Sequence, residues 1–243
     1  MKKLLVTSDK FILKEFVGKK SFKKVDSETY PELYQLDGMS DLFIFIVKDI
    51  SKSKDSLQDI LKTFHIELVF SIGYSLALNP SIDIFKIFRI SKFSILPSKM
   101  VLWDYSNILP FESDFLDTKE VINYSNESEN LLMASTSATI SNWKVKDWLN
   151  RKFDISLIDR YGSIIVTICN ELNIDIIVCR GILVKRTKFN ILTRIIDWDK
   201  DYSFFELIRA PYKIFPYIFL QYRKRILSQK ISQFIERFMS YKT

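Results

Sequence analysis

The chain has 243 residues, 47% of them hydrophobic and 27% charged, with a formal net charge of +7 and a sequence pI near 9.2. An apolar fraction of this size can bury a substantial core, which excludes a disordered chain and suits one large α/β domain or two small ones. Only 5 Gly and 4 Ala are present, and neither GxGxxG nor GxxxxGKS/T occurs, so a standard dinucleotide fold or P-loop NTPase is excluded as a simple motif match.

The shortage of Gly and Ala beside abundant Ile, Lys and Phe also fits AT-rich coding, and both accounts stay open. Met1-Lys2-Lys3 runs directly into an apolar stretch at residues 4–7 with no signal-peptide pattern, and Cys169 and Cys179 are too few for a disulfide scaffold. A reducing, cytoplasmic setting is the expectation. Residues 1–24 carry eight Lys against two acids and residues 200–243 nine Lys or Arg against three, so each end is +6 and the middle is −5. Basic ends suit anionic lipid or nucleic acid, and equally suit a solvated surface.

Apolar runs of strand length occupy residues 4–7, 42–48, 68–72, 84–90 and 174–180. A helix is predicted over 53–64, where Leu57, Ile60, Leu61 and Phe64 share one face, and another over 163–172, ended by the turn residue Asn173. Strands alternating with helices predict an α/β fold: a mixed central sheet flanked by helices on both faces. The polar stretch 117–130 reads as an exposed loop. Beyond Asp197 the pattern changes, which divides the chain into an α/β domain at 1–197 and a basic, aromatic helical extension at 198–243. Its final helix, 226–239, presents Leu227, Ile231, Phe234, Ile235 and Phe238 on an apolar face, with Lys224, Arg225 and Ser228 among the polar residues around it. No apolar run is long enough for a transmembrane helix.

Metal chemistry has little support, because His65 is the only histidine and no His/Cys cluster has zinc spacing. A Ser-His-Asp hydrolase would need His65 and a GxSxG elbow, which is absent. The informative segments are Gly73-Tyr74-Ser75-Leu76-Ala77-Leu78-Asn79-Pro80, Asp159-Arg160-Tyr161-Gly162 and Arg180-Gly181-Ile182. Strands that end in glycine let backbone groups approach a ligand, at the edge where open α/β sheets place their sites.

With Leu4-Leu5-Val6-Thr7-Ser8, these pieces resemble, in order and spacing, the purine nucleoside phosphorylase and nucleosidase superfamily. The resemblance implies a nucleoside ligand, no cofactor, and a homo-oligomer. It puts Gly73, Tyr74, Ser75, Tyr161, Arg180 and Gly181 at the substrate and Lys52 at phosphate; Ser135 and Thr136 offer hydroxyls to the same anion, with a Ser/Thr-rich strand edge as the more ordinary reading of them. The departures are specific. Tyr161 stands where the family has the Glu that holds ribose, and Val184 where it has the Asp that serves the base; Asp49 and Ser51 replace the glycines of the phosphate turn. Asp9 and Asp159 are the candidate replacement acids, with a solvated or capping role as the alternative for each.

Two functions follow. The first is a degenerate phosphorylase or nucleosidase with impaired catalysis that acts as a binding or partner subunit. The second is an active divergent enzyme cleaving a purine nucleoside, lipid-linked substrates included. The tail, from Phe204-Phe205-Glu206 through Arg225, is similar to the ending of phosphorylase-like proteins associated with hopanoid lipid synthesis, which implies contact with an anionic membrane surface; a helix packed on the core is the alternative. Nucleic acid is not expected as a partner.

Overall fold

In a computed structural model, the described residues are 1–17, 22–25, 29–47, 50–96, 119–120, 129–136, 140, 143–186 and 202–240. Their elements run β1 (Lys3–Thr7), α1 (Lys10–Val17), β2 (Phe22–Lys24), β3 (Leu33–Leu36), β4 (Met39–Ile46), α2 (Ile50–Thr63), β5 (Leu68–Ala77) and β6 (Ile87–Ile95). They continue with β7 (Lys119–Glu120), β8 (Glu129–Ser135), α3 (Trp143–Phe153), β9 (Ile155–Asp159), α4 (Gly162–Glu171) and β10 (Asp175–Lys185). A short helix α5 (Phe204–Arg209), a single 3-10 turn (Pro211–Lys213) and the long α6 (Ile214–Ser240) complete the chain.

β5 organises the sheet. It pairs in parallel with β1 on one side and β10 on the other, and its last residues, Leu76 and Ala77, pair antiparallel with β9. Because β10 pairs with β6, β6 with β8, and β8 with β9, the strands β5-β10-β6-β8-β9 close on themselves. From β5 an open wing extends through β1, β4, β3 and β2. Every residue of β5 is buried, which explains why its sequence reads as a continuous apolar run rather than an alternating one.

Strand alternation gives β5 and β10 two working faces. Val69 and Ala77 on β5, with Ile176, Val178 and Ile182 on β10, join the core cluster that contains Met133 and Tyr161. Phe70, Ile72, Tyr74 and Leu76, with Ile177, Cys179 and Leu183, join the cluster that contains Leu220, Leu227 and Ile231 of α6. α6 packs on α1 and β10. It buries Leu220, Lys224, Leu227, Ser228, Ile231 and Ile235, a stripe of helical period. Lys224 and Ser228 are thus on the packed face and not among the surrounding polar residues: a position three or four residues from Leu227 or Ile231 shares that side of the helix.

The predicted mixed sheet is present, with shifts in detail. The strand predicted to end at residue 72 runs through Gly73 to Ala77, and the one predicted over 84–90 lies at Ile87–Ile95, because Phe85 adopts a left-handed backbone with φ of 66°. β8 and β9 were not predicted. Of the expected loop at 117–130, Lys119–Glu120 pairs with β6 and Glu129 and Asn130 open β8, while the remainder lies outside the described residues. Asn173 turns the chain between α4 and β10 with φ of 53°, as its turn chemistry predicts, and His65 does the same between α2 and β5.

A Cβ on Gly181 would lie 2.8 Å from Leu227 and 2.9 Å from Ile231, so only glycine lets α6 rest this close to β10. Gly181→Ala is expected to destabilise the fold by about 1–3 kcal/mol through overpacking, read as a lower urea midpoint.

Candidate functional site

The polar centre of the molecule forms where β5, β9 and β10 meet the start of α4. Arg180 is buried on β10 opposite Gly73 of β5, and its side chain is 1% exposed. Its Nε donates to Asp159 Oδ2 at 2.7 Å, one terminal nitrogen donates to the carbonyl oxygens of Ser71 and Cys179, and the other donates to Ser71 Oγ at 3.0 Å. A guanidinium removed from water in this way has to find acceptors inside, and β5 and β9 supply them.

Asp159 ends β9. Its Oδ2 also accepts from the Gly162 backbone N–H at 2.9 Å, and its Oδ1 accepts from the Ser135 hydroxyl. Ser135 in turn accepts from the Ser163 N–H at 2.8 Å. The first amides of α4 therefore converge on a serine and a carboxylate, where the positive end of the helix dipole is favourable. Gly162 cannot carry a side chain here, since its Cβ would lie 2.5 Å from Asp159 Oδ2 and 2.6 Å from Arg180.

Tyr161 lies over the same cluster. The Arg180 guanidinium is 5.8 Å from its ring centroid, and its hydroxyl exchanges hydrogen bonds with the Ser8 backbone N–H and side chain. That hydroxyl is 3.4 Å from where a Gly73 Cβ would sit, so the space beside Gly73 is taken by tyrosine.

A second cluster lies under α6. Asp9 caps α1: its Oδ1 accepts from the Phe11 N–H at 2.7 Å, the hydrogen bond expected of a residue just before a helix. Its Oδ2 is 3.6 Å from Lys224 Nζ, and both side chains are nearly inaccessible. The Tyr74 hydroxyl pairs with Ser228 Oγ at 2.6 Å and donates to the Lys224 carbonyl. Burial, with the Asp9 carboxylate adding to it, holds the Tyr74 phenol well above its ordinary pKa, so Tyr74 stays a neutral hydroxyl.

The structure brings the sequence-predicted residues to two places instead of one. Gly73, Tyr161, Arg180, Asp159 and Ser135 belong to the first cluster, and Asp9 and Tyr74 to the second. Alternation along β5 separates Tyr74 from Gly73, and alternation along β10 separates Gly181, which faces α6, from Arg180. Ser75 donates to Met133 Sδ in the interior, and the Thr136 N–H donates to the Asp159 carbonyl. Lys52 lies on α2 with its side chain outside the described atoms, and Asp49 lies outside the described residues. Val184 is fully buried in the core. Sequence reasoning missed Lys224 as a partner of Asp9; its spacing from Leu220 and Leu227 was the available signal. Among the described residues, no group of three or more His, Cys, Asp or Glu could hold a metal ion.

No protein-family model and no curated protein sequence matches this chain. Solved structures do. Futalosine hydrolase of Helicobacter pylori superposes with a TM-score of 0.68 at 11% identity, over 99% of each chain. The 5'-methylthioadenosine/S-adenosylhomocysteine nucleosidase of Campylobacter jejuni gives 0.63 at 13% identity, over 95% of this chain and 99% of that one. The corresponding nucleosidase of Chlamydia trachomatis gives 0.61 at 14%, over 100% and 99%. The chain shares the fold of these two nucleosidases and of the futalosine hydrolase.

The Asp159–Arg180 pair predicts an asymmetric mutational response. Arg180→Met strands a buried carboxylate and should cost about 3–5 kcal/mol of unfolding free energy, whereas Asp159→Leu combined with Arg180→Met should recover part of that loss. Denaturant titration of the three proteins reads both outcomes. Burial also pushes the thiols of Cys169 and Cys179 up to about 12. Neither should react with a thiol reagent at neutral pH until denaturant is added, and both should stabilise the fold less as pH rises from about 9, where the unfolded thiols ionise, toward about 12.

Proposed function

We propose that this chain is a degenerate nucleosidase-fold protein with impaired catalysis that works as a binding or partner subunit. One observation carries the reading: each candidate carboxylate is already engaged by a buried cation, Asp159 by Arg180 at 2.7 Å and Asp9 by Lys224 at 3.6 Å. Breaking the bond between a ribose and a purine develops positive charge on the sugar and negative charge on the departing base. A site that accelerates it needs a group to hold the sugar hydroxyls, a donor for the base and an activated nucleophile. The Asp159 oxygens accept from Ser135, Gly162 and Arg180, so the carboxylate is already held by three donors of the protein itself. Asp9 spends one oxygen on the α1 cap and turns the other to Lys224.

Beside Gly73 the hydroxyls of Tyr161 and Ser8 bond each other, and the Tyr161 ring lies against Arg180, so a ligand binds there by opening the Tyr161–Ser8 pair. A nucleoside-type ligand and a homo-oligomer belong to the same proposal.

A second reading has support of its own. The likeness to nucleosidases spans the whole chain, and one Helicobacter pylori relative is a mutant holding 5'-methylthioadenosine in its active site. Asp9 stands at the end of β1 beside Tyr74, with Lys224 above it, and movement of α6 would free its Oδ2. On this reading the protein is an active divergent phosphorylase or nucleosidase for a purine nucleoside, lipid-linked ones included.

Release of free base decides between them. The purified protein, incubated with adenosine and with 5'-methylthioadenosine, in the presence and absence of phosphate, is expected to liberate no base above background. Base release that rises in proportion to protein concentration would establish the active enzyme instead, and its loss in Asp9→Asn or Asp159→Asn, assayed at a temperature where circular dichroism shows the variant folded, would identify the acid.

A further inference from the structure

We infer that α5, the 3-10 turn and the first half of α6 form a docking surface for an anionic lipid bilayer, on which the protein lies without crossing. Among the described residues, the exposed large hydrophobic side chains other than Met1 all fall between Phe204 and Tyr222. Phe204, Phe205 and Phe215 are 73%, 74% and 79% exposed. Contiguous apolar surface of this kind marks an interaction site, whereas scattered exposed hydrophobics need no explanation.

The helix geometry shows that this surface is separate from the core. In its first turns α6 has two apolar sides. Leu220, Lys224 and Leu227 face α1 and β10, while Phe215, Ile218, Phe219 and Tyr222, also at helical spacing, point outward. A helix needs one apolar side to pack. The second side serves something outside the fold.

Charge selects the occupant. Arg209 and Arg225 are exposed at the ends of the aromatic stretch. Lys213 Nζ lies 5.3 Å from the Tyr202 ring centroid and 5.9 Å from that of Tyr212, and the Arg223 guanidinium lies 4.5 Å over Phe219. The only acid between Phe204 and Arg225 is Glu206, whose carboxylate accepts the Ser203 N–H in the capping box of α5. Aromatic tips interleaved with cations fit a headgroup region, where rings enter the acyl boundary and ammonium and guanidinium groups meet phosphates. A second copy of the chain on this face would set the two cation groups against each other with one acid each to offset them. No described helix is long and apolar enough to cross a membrane, which agrees with a chain lying on the surface. The inference requires neither nucleoside binding nor cleavage, so it stands or falls apart from the proposed function.

Vesicle flotation of the full chain tests it. The protein should float with phosphatidylcholine vesicles containing about 30% phosphatidylglycerol, remain in solution with phosphatidylcholine alone, and lose its hold as salt is raised. Phe205→Ser with Phe215→Ser, two exposed positions whose change should leave the thermal midpoint intact, should weaken flotation by about tenfold or more. Arg209→Gln with Arg225→Gln should weaken flotation with the anionic vesicles and make what remains less sensitive to salt. Failure to float with anionic vesicles would overturn the inference. So would a dimer at sedimentation equilibrium that the double Phe variant dissolves, since the face would then belong to a second copy.

Discussion

The buried ion pair between Asp159 and Arg180 is the contact on which the centre of this protein depends. It joins the end of β9 to the middle of β10, and through Ser71, Ser135 and Gly162 it reaches β5, β8 and the start of α4. Taking both charges out of water costs several kcal/mol per ion, and that is offset only when the remaining donors and acceptors are also met. Here five backbone or hydroxyl groups complete the set. The closed ring of strands and the polar cluster support each other: closure positions the acceptors, and the acceptors make the buried arginine tolerable.

The same constraint governs what the site can do. In open α/β sheets the ends of parallel strands are where ligands bind. In this chain the corresponding groups turn inward. Tyr161 takes the room beside Gly73, Asp159 is held by three donors, and Asp9 divides its oxygens between a helix cap and Lys224. The chain shares its fold with solved nucleosidases at only 11–14% identity, because a fold needs apolar residues of suitable size at many positions and tolerates wide exchange among them. Catalysis needs particular groups at a few positions. α6 joins the two parts of the molecule, carrying Lys224 to Asp9 on one side and aromatic residues to the surface on the other.

Much of the architecture was legible as pattern. Continuous apolar runs marked β1, β4, β5 and β10, helical spacing marked α2 and the second half of α6, which begins at Ile214 and not at 226, and Asn173 marked the turn before β10. β8 and β9 were not legible, since β8 begins inside a polar stretch and β9 is five residues following a helix. Short strands of this kind are specified by neighbours on both edges, which local sequence does not contain. The candidate site was legible by residue type but not by grouping. Gly73-Tyr74-Ser75 reads as one unit along the chain, yet strand alternation sends Tyr74 to α6 and its two neighbours to the interior.

By itself, the sequence determined the class of fold, the glycines at 73 and 181 on apolar strands, and the non-acidic side chains of Tyr161 and Val184. Those properties are local, because they depend on side-chain volume, charge and period. Tertiary structure alone decided which carboxylate meets which cation. Asp159 finds Arg180 because β8, β9 and β5 close onto β10 in one register, and Asp9 finds Lys224 because Gly181 lets α6 settle against that sheet at one rotation. A buried charge is stabilised only by a partner within a few ångströms, and that distance is set by packing between segments far apart in the chain.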